Sequence, residues 1–172
     1  MIRQIASYVD GNKSEIVNLL RDLVRQKGGS ENREAVNKVG SALAREITPL
    51  GFSLEKLDAG KYADHVLLQN HAGQRSIFVG GHMDTTFTDY ARLPEFRLEG
   101  DKAVGPGTAD MLGGLTVLTY ALKCLGSLGV LKDIPITAFF NSDEERGSPD
   151  SKKVFERLAR QAEQEAEEKR RR

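Results

Sequence analysis

Two apolar runs with β-strand character lead directly into histidine and acidic residues, and this pairing most constrains the fold. Residues 76–80 and 134–140 are largely apolar without alternation, which is typical of strands covered on both faces. The first run leads into His82, and the second leads into Glu144 and Glu145. Helical patterns separate the strands, and polar residues at the carboxyl ends of such strands indicate an α/β layered domain.

The whole pattern predicts a three-layer α/β/α sandwich with a mostly parallel central sheet. Residues 76–80 are expected to form a buried central strand. Ser14 is expected to cap a helix that ends near Gln26, and Ser30 to cap a second helix that ends near Ile47. Further strands are predicted at 52–57, 64–69 and 134–140, a hairpin at 98–102, and helices at 111–128 and from about Ser151 onward.

Composition excludes some classes of partner. The chain has 172 residues, which suits one domain, and Lys+Arg and Asp+Glu number 25 each. This balance argues against broad binding of nucleic acid or an anionic membrane. Cys124 is the only cysteine, so no intramolecular disulfide is expected, and its apolar surroundings predict burial. We find neither a signal-peptide pattern nor an apolar run near the roughly 20 residues of a bilayer span, so a cytoplasmic location is the default expectation.

Three short blocks carry the candidate site. His82 is a candidate metal ligand, and Asp84, two residues on, is placed to orient His82 through its other ring nitrogen. Asp110 follows a Gly-Pro-Gly loop, and its two carboxylate oxygens are able to bridge two metal ions. The blocks occupy residues 80–85, 105–111 and 143–148.

Glu144 and Glu145 are adjacent, so one is able to bind metal while the other takes the proton of an attacking water. Each block has a plainer interpretation. A lone histidine after a strand is more often structural, an aspartate in a Gly-Pro-Gly loop is usually a turn residue, and a Glu-Glu pair is usually solvated. Three such blocks in order make coincidence much less likely. His65 and His71 lack this context and are interpreted as surface or structural residues.

The blocks resemble the M20 family of metallopeptidases, which includes glutamate carboxypeptidases, acetylornithine deacetylases and succinyl-diaminopimelate desuccinylases. The family pattern is Gly-His-x-Asp-Thr, then Gly-x-Gly-x-x-Asp-Met-x-Gly-Gly, then Asp-Glu-Glu-x-Gly-Ser. All three stand in this chain, from Gly81, Gly105 and Asp143 respectively. The resemblance covers roughly residues 13–162.

The resemblance implies a role for each site residue. His82 would bind one zinc ion, Asp110 would bridge two ions, and Glu145 would bind the second. Glu144 would be the general base, and Asp84 would orient His82. Cobalt or manganese would be alternatives to zinc. The implied reaction is hydrolysis of an amide bond next to an amino acid, in a small peptide or an N-acyl amino acid.

The family also implies features that this sequence lacks. Its members carry a further acidic ligand, a late histidine ligand and a smaller inserted domain, and no histidine follows His82 here. Residues 1–162 are therefore expected to be part of a catalytic domain, and 163–172 a charged helical tail. We expect impaired turnover, with a homo-oligomer or a complementing chain as possible partners; a non-catalytic binding module is the alternative. The family further implies a cis peptide at Asp110–Met111.

Overall fold

The computed structural model describes residues 1–72 and 76–171, except for the side chains of residues 162 and 164–171. Five helices and six strands carry the fold of this part of the chain. The helices are α1 (Ile2–Gly11), α2 (Lys13–Arg25), α3 (Arg33–Ile47), α4 (Gly113–Ser127) and α5 (Ser151–Arg171). The strands are β1 (Ser53–Leu57), β2 (His65–Gln69), β3 (Ile77–His82), β4 (Arg97–Glu99), β5 (Lys102–Val104) and β6 (Ile136–Asn141).

The predicted α/β class is confirmed, but the sheet is mixed rather than mostly parallel. Four strands lie in the order β1-β2-β6-β3, and β4 and β5 form a separate hairpin. β1 and β2 are antiparallel because a short connection joins them, and β2 also runs antiparallel to β6. Among the described strands only β3 and β6 pair in parallel, and the chain between them includes α4, a crossover of the kind that parallel strands require.

The prediction that residues 76–80 form a buried central strand is wrong. Within the described sheet β6 is central, and β3 pairs with β6 alone. Ile77 and Phe78 are 57% and 45% exposed. A continuous apolar run reports the apolar character of a strand and not its position in the sheet, which depends on pairing with distant segments.

Helices cover both faces of the sheet. Ile136, Ala138 and Phe140 of β6 face the main core, which α2, α3 and α4 also line. Phe139 points to the opposite face, where its ring meets Phe155 of α5 edge to face, with centroids 5.0 Å apart. Alternate side chains of one strand therefore pack into two layers of helix. This arrangement is the expected three-layer sandwich.

The helix starts differ from those predicted. The residue that caps α3 is Asn32, whose side chain accepts a hydrogen bond from the main-chain N–H of Ala35. The Ser30 hydroxyl does not cap the helix and instead donates a hydrogen bond to Asp84. Asn12 precedes α2, so Ser14 lies inside the first turn of that helix. Both errors arise because several residues near each start have capping side chains, and only the path of the chain decides which one caps.

The last helix, α5, begins at Ser151, as predicted. α5 continues to Arg171, so the expected charged tail, residues 163–172, overlaps its end. The sequence of this tail also predicts i,i+4 ion pairs such as Glu165–Lys169, and these lie outside the described side chains. Cys124 is buried, as expected. Among the described residues, no helix combines the length and apolar character needed to cross a bilayer.

The cap of α3 gives a first prediction. Asn32→Ala removes the acceptor for the Ala35 N–H, and we expect the free energy of unfolding to fall by about 1 kcal/mol. Urea denaturation followed by circular dichroism measures this change. Ser14→Ala is the control, because Ser14 is exposed and is not the N-cap of α2. An equal loss of stability in both variants would contradict the assignment of the cap.

Candidate metal centre

The parallel pairing of β3 and β6 brings two of the three motifs together. His82, the last residue of β3, is in register with Asn141, the last residue of β6. The N–H of Met83 continues the pairing by donating to the carbonyl of Asn141 at 2.8 Å. The residues that follow both strands therefore leave the same edge of the sheet, where ligands commonly bind in α/β folds.

His82 is buried, and hydrogen bonds fix its orientation. Its Nδ1 lies 3.0 Å from the main-chain carbonyl of Asp84, an acceptor, so Nδ1 carries a hydrogen. Its Nε2 faces Asp110 Oδ1 at 2.9 Å and Glu144 Oε2 at 3.8 Å. Burial alone would lower the pKa of His82, but the hydrogen bonds to Asp84 and Asp110 raise it to about 9. Negative groups therefore surround the outward nitrogen.

Asp110 reaches His82 from an irregular turn at Thr108–Leu112 that precedes α4. Its side chain is exposed, and the Asp110–Met111 peptide is cis, as the resemblance implied. The sulfur of Met111 accepts the main-chain N–H of His82 at 3.3 Å. A Cβ on Gly81 would lie only 2.8 Å from the Met111 methyl. The small residue before His82 therefore allows the turn to approach β3.

Asp84 links the segments that form the site. Its carboxylate is fully buried and accepts the Ser30 hydroxyl at 2.8 Å. The same carboxylate accepts the main-chain N–H groups of Glu144 and Glu145, both at 3.2 Å. Asp84 therefore contacts the connection before α3 and the loop after β6 together. Sequence reasoning missed this role of Ser30, and no local pattern indicates it.

Asp143, the first residue of the third motif, has a structural role. Its carboxylate accepts the main-chain N–H of Asp150 at 2.7 Å and of Ser151 at 3.1 Å, at the start of α5. Burial raises the pKa of Asp143, but the hydrogen bonds from Ser151 and Asp150 outweigh it and lower the pKa below its usual value. Asp143 therefore fixes the loop that carries Glu144 and Glu145.

The sequence-predicted ligands form one group. His82, Asp110 and Glu145 each offer a ligand atom, and these atoms all lie within 4.8 Å of one another. Burial raises the pKa of Glu145; the charge of His82 opposes this rise, and the carboxylates of Asp110, Asp84 and Glu144 add to it. One imidazole and two carboxylates are a ligand set that zinc accepts, and a cation would relieve the repulsion among the acids.

The two other histidines have different surroundings. His65 is fully buried and contacts Ser142 and Phe139, so it is structural rather than exposed. His71 Nε2 lies 2.9 Å from Thr137 Oγ1. Neither histidine is part of the ligand group found among the described residues.

Comparison with known proteins identifies the class. A sequence profile of peptidase family M20/M25/M40 matches residues 78–169. This match covers more than half of the chain, and the chain belongs to that family. Carboxypeptidase G2 from Pseudomonas sp. (strain RS-16) is 35% identical over 155 residues, which are 86% of this chain and 36% of the relative.

Solved structures share the fold at lower identity. Human carnosine dipeptidase 1 superposes with a TM-score of 0.80 at 18% identity, over 90% of this chain and 37% of that one. An M20 family metallo-carboxypeptidase, Sso-CP2 from Sulfolobus solfataricus, gives a TM-score of 0.64 at 17% identity, over 80% of this chain and 32% of that one. The chain thus spans about a third of the length of these proteins.

The role of Asp84 gives a second prediction. The N–H groups of Glu144 and Glu145 donate to different oxygens of Asp84, so Asp84→Asn places an amide donor against one of them. We expect the free energy of unfolding in metal-free buffer to fall by about 2 kcal/mol, since a buried N–H loses its acceptor. Asp133→Asn, at an exposed position, is the control and is expected to change stability by less than about 0.5 kcal/mol. Matching urea midpoints for Asp84→Asn and the wild type would refute this role.

Proposed function

We propose that this chain is a metal-dependent hydrolase that cleaves an amide bond next to an amino acid. The observation that carries the proposal is the convergence of His82, Asp110 and Glu145, whose ligand atoms come from three distant segments. Family membership supports a hydrolase, and the relatives include proteins named as a carboxypeptidase and a dipeptidase. No observation favours the non-catalytic alternative over this one.

His82, Asp110 and Glu145 would hold the metal, with zinc as the expected ion and cobalt or manganese as alternatives. His82 suits this role because its Nδ1–H is held by the Asp84 carbonyl and its Nε2 faces the carboxylates. When bound, a divalent ion would polarise the scissile carbonyl and make a water molecule more acidic. Three protein ligands with an open position are typical of a catalytic zinc.

Glu144 is the proposed general base. Its main chain is fixed by the Asp84 carboxylate, while its side chain is about half exposed and lies 3.8 Å from His82 Nε2. The Glu144 carboxylate takes a proton from the attacking water as the new C–O bond forms. It then gives that proton to the amine nitrogen as the C–N bond breaks, which is the usual double use of one carboxylate in amide hydrolysis.

The proposed substrates are small peptides or N-acyl amino acids. The relatives named above as a carboxypeptidase and a dipeptidase are longer, and this chain spans 36% of carboxypeptidase G2 and 37% of carnosine dipeptidase 1. We therefore propose low turnover by this chain alone, with a complementing chain or a second copy as a possible partner. The division at residue 162, a cytoplasmic location and the absence of nucleic-acid and membrane binding stay predictions.

Metal binding gives a third prediction. Equilibrium dialysis followed by elemental analysis should find about one zinc ion per chain, since the described group supplies three ligand atoms, which suit one ion. His82→Ala should lower zinc affinity at least tenfold, because the nitrogen ligand is lost. His71→Ala is the matched control and should bind zinc as the wild type does. Equal zinc affinity in wild type and His82→Ala would overturn the proposed centre.

The general base gives a fourth prediction. Glu144→Gln keeps the size of the side chain but removes the proton acceptor, so kcat for N-acyl amino acids should fall by about 10²–10⁴-fold. Zinc affinity should change little, because Glu144 is not among the three ligands. Unchanged kcat would remove Glu144 from the mechanism. A zinc-loaded wild type with no hydrolysis of any tested amide would instead favour the binding-module alternative.

A further inference from the structure

The loop that presents Glu144 and Glu145 forms a nearly closed ring. It leaves β6 at Ser142 and enters α5 at Ser151. The Asp143 carboxylate accepts N–H groups from the far end of this loop, and its main-chain carbonyl accepts those of Arg146 and Ser148, at 3.2 and 2.9 Å. The two ends of the loop therefore lie side by side, and their spacing sets the path of the residues between them.

One buried imidazole contacts both ends of this loop. His65, at the start of β2, is fully buried, and its ring packs edge to face on Phe139. Its Nδ1 accepts the main-chain N–H of Ser142 at 3.2 Å, at the entry to the loop. Its Nε2 lies 3.4 Å from Asp150 Oδ1, at the exit from the loop.

The hydrogen bond at Nδ1 of His65 determines whether Nε2 carries a hydrogen. Because Nδ1 accepts a hydrogen bond from a main-chain N–H, the neutral ring carries its hydrogen on Nε2. Nε2 is buried and makes no hydrogen bond within the described part of the chain. A buried N–H without an acceptor is unfavourable, so movement of the Asp150 carboxylate toward the ring is stabilising. Attraction between the two groups holds the exit of the loop against His65.

We infer that His65 is a positioning residue for the candidate metal centre. It fixes the distance between Ser142 and Asp150, which are the two ends of the loop. Because the loop is nearly closed, this distance determines how Glu144 and Glu145 are oriented toward His82 and Asp110. This inference rests on the proposed function for its consequence, but its structural part is independent of any metal. His65 lies beneath the loop in the interior, which distinguishes it from the proposed ligands and the general base.

Asp150 offers the sharper test, because it is partly exposed and its main-chain bond to Asp143 survives substitution. Asp150→Ala removes the acceptor that faces His65, whereas Asp150→Asn loses the same charge but keeps an accepting oxygen. Lys153→Ala is the control, because Lys153 is exposed and contacts the outer oxygen of Asp150 at 3.3 Å. The difference between the alanine and asparagine variants isolates the contact with His65 from the effect of charge on α5.

Amide hydrogen exchange in metal-free protein, followed by NMR, measures loop position directly. The N–H groups of Glu144 and Glu145, which donate to Asp84, should exchange about tenfold faster in Asp150→Ala. Asp150→Asn and Lys153→Ala should match the wild type. His65→Gln, which can offer an N–H near the place of Nε2, should lie closer to the wild type than His65→Ala. Equal exchange in Asp150→Ala and the wild type would overturn the inference.

Cobalt binding measures the consequence at the centre. Asp150→Ala should bind Co²⁺ about tenfold more weakly, as for other outer partners of metal ligands, while Asp150→Asn should bind it as the wild type does. A lower melting temperature with unchanged affinity would mean a merely structural contact and would reject the positioning role. If the wild type binds no Co²⁺ while exchange still responds as expected, the loop contact stands and the proposed metal-dependent function is wrong.

Discussion

The candidate site depends on the hydrogen bonds that the buried carboxylate of Asp84 accepts. This carboxylate accepts hydrogen bonds from the Ser30 hydroxyl and from the N–H groups of Glu144 and Glu145. The main-chain carbonyl of the same residue holds Nδ1 of His82. A fully buried charge is unfavourable unless donors surround it, so the fold is constrained to bring these segments to Asp84. Supplying hydrogen-bond donors to this one carboxylate therefore brings together the segments that carry much of the site.

This arrangement separates the groups that hold the structure from the groups that are free for chemistry. Asp84 and Asp143 are buried and use their oxygens to fix main chain. Asp110 and Glu144 keep exposed carboxylates at the surface beside His82. The acidic groups of the three motifs thus divide into two roles according to burial. Preorganised catalysis requires reactive groups held in place by a rigid, well-packed framework. Here buried carboxylates form that framework, and solvent-accessible carboxylates lie above it.

The local chemistry of the sequence predicted much of the fold. Apolar runs located β2, β3 and β6, and capping residues and glycines located α2, α3, α4 and the start of α5 to within a few residues, whereas α1 was not predicted. The prediction failed where distant segments decide. Residues 76–80 lie at the edge of the described sheet rather than its centre, and two of its three strand pairings are antiparallel. Asn32, not Ser30, caps α3, because Ser30 is used by Asp84.

The sequence by itself determined the class of protein and the chemical types at the site, because the three motifs fix which imidazole and carboxylates occur and in what local turns. Tertiary structure alone decided how they meet. The parallel register of β3 with β6 brings His82 beside the loop of Glu144 and Glu145. Tertiary structure also brings Ser30 to Asp84 and His65 to Ser142, although neither residue belongs to a motif. Contacts between residues more than fifty positions apart follow from packing and leave no local pattern in the sequence.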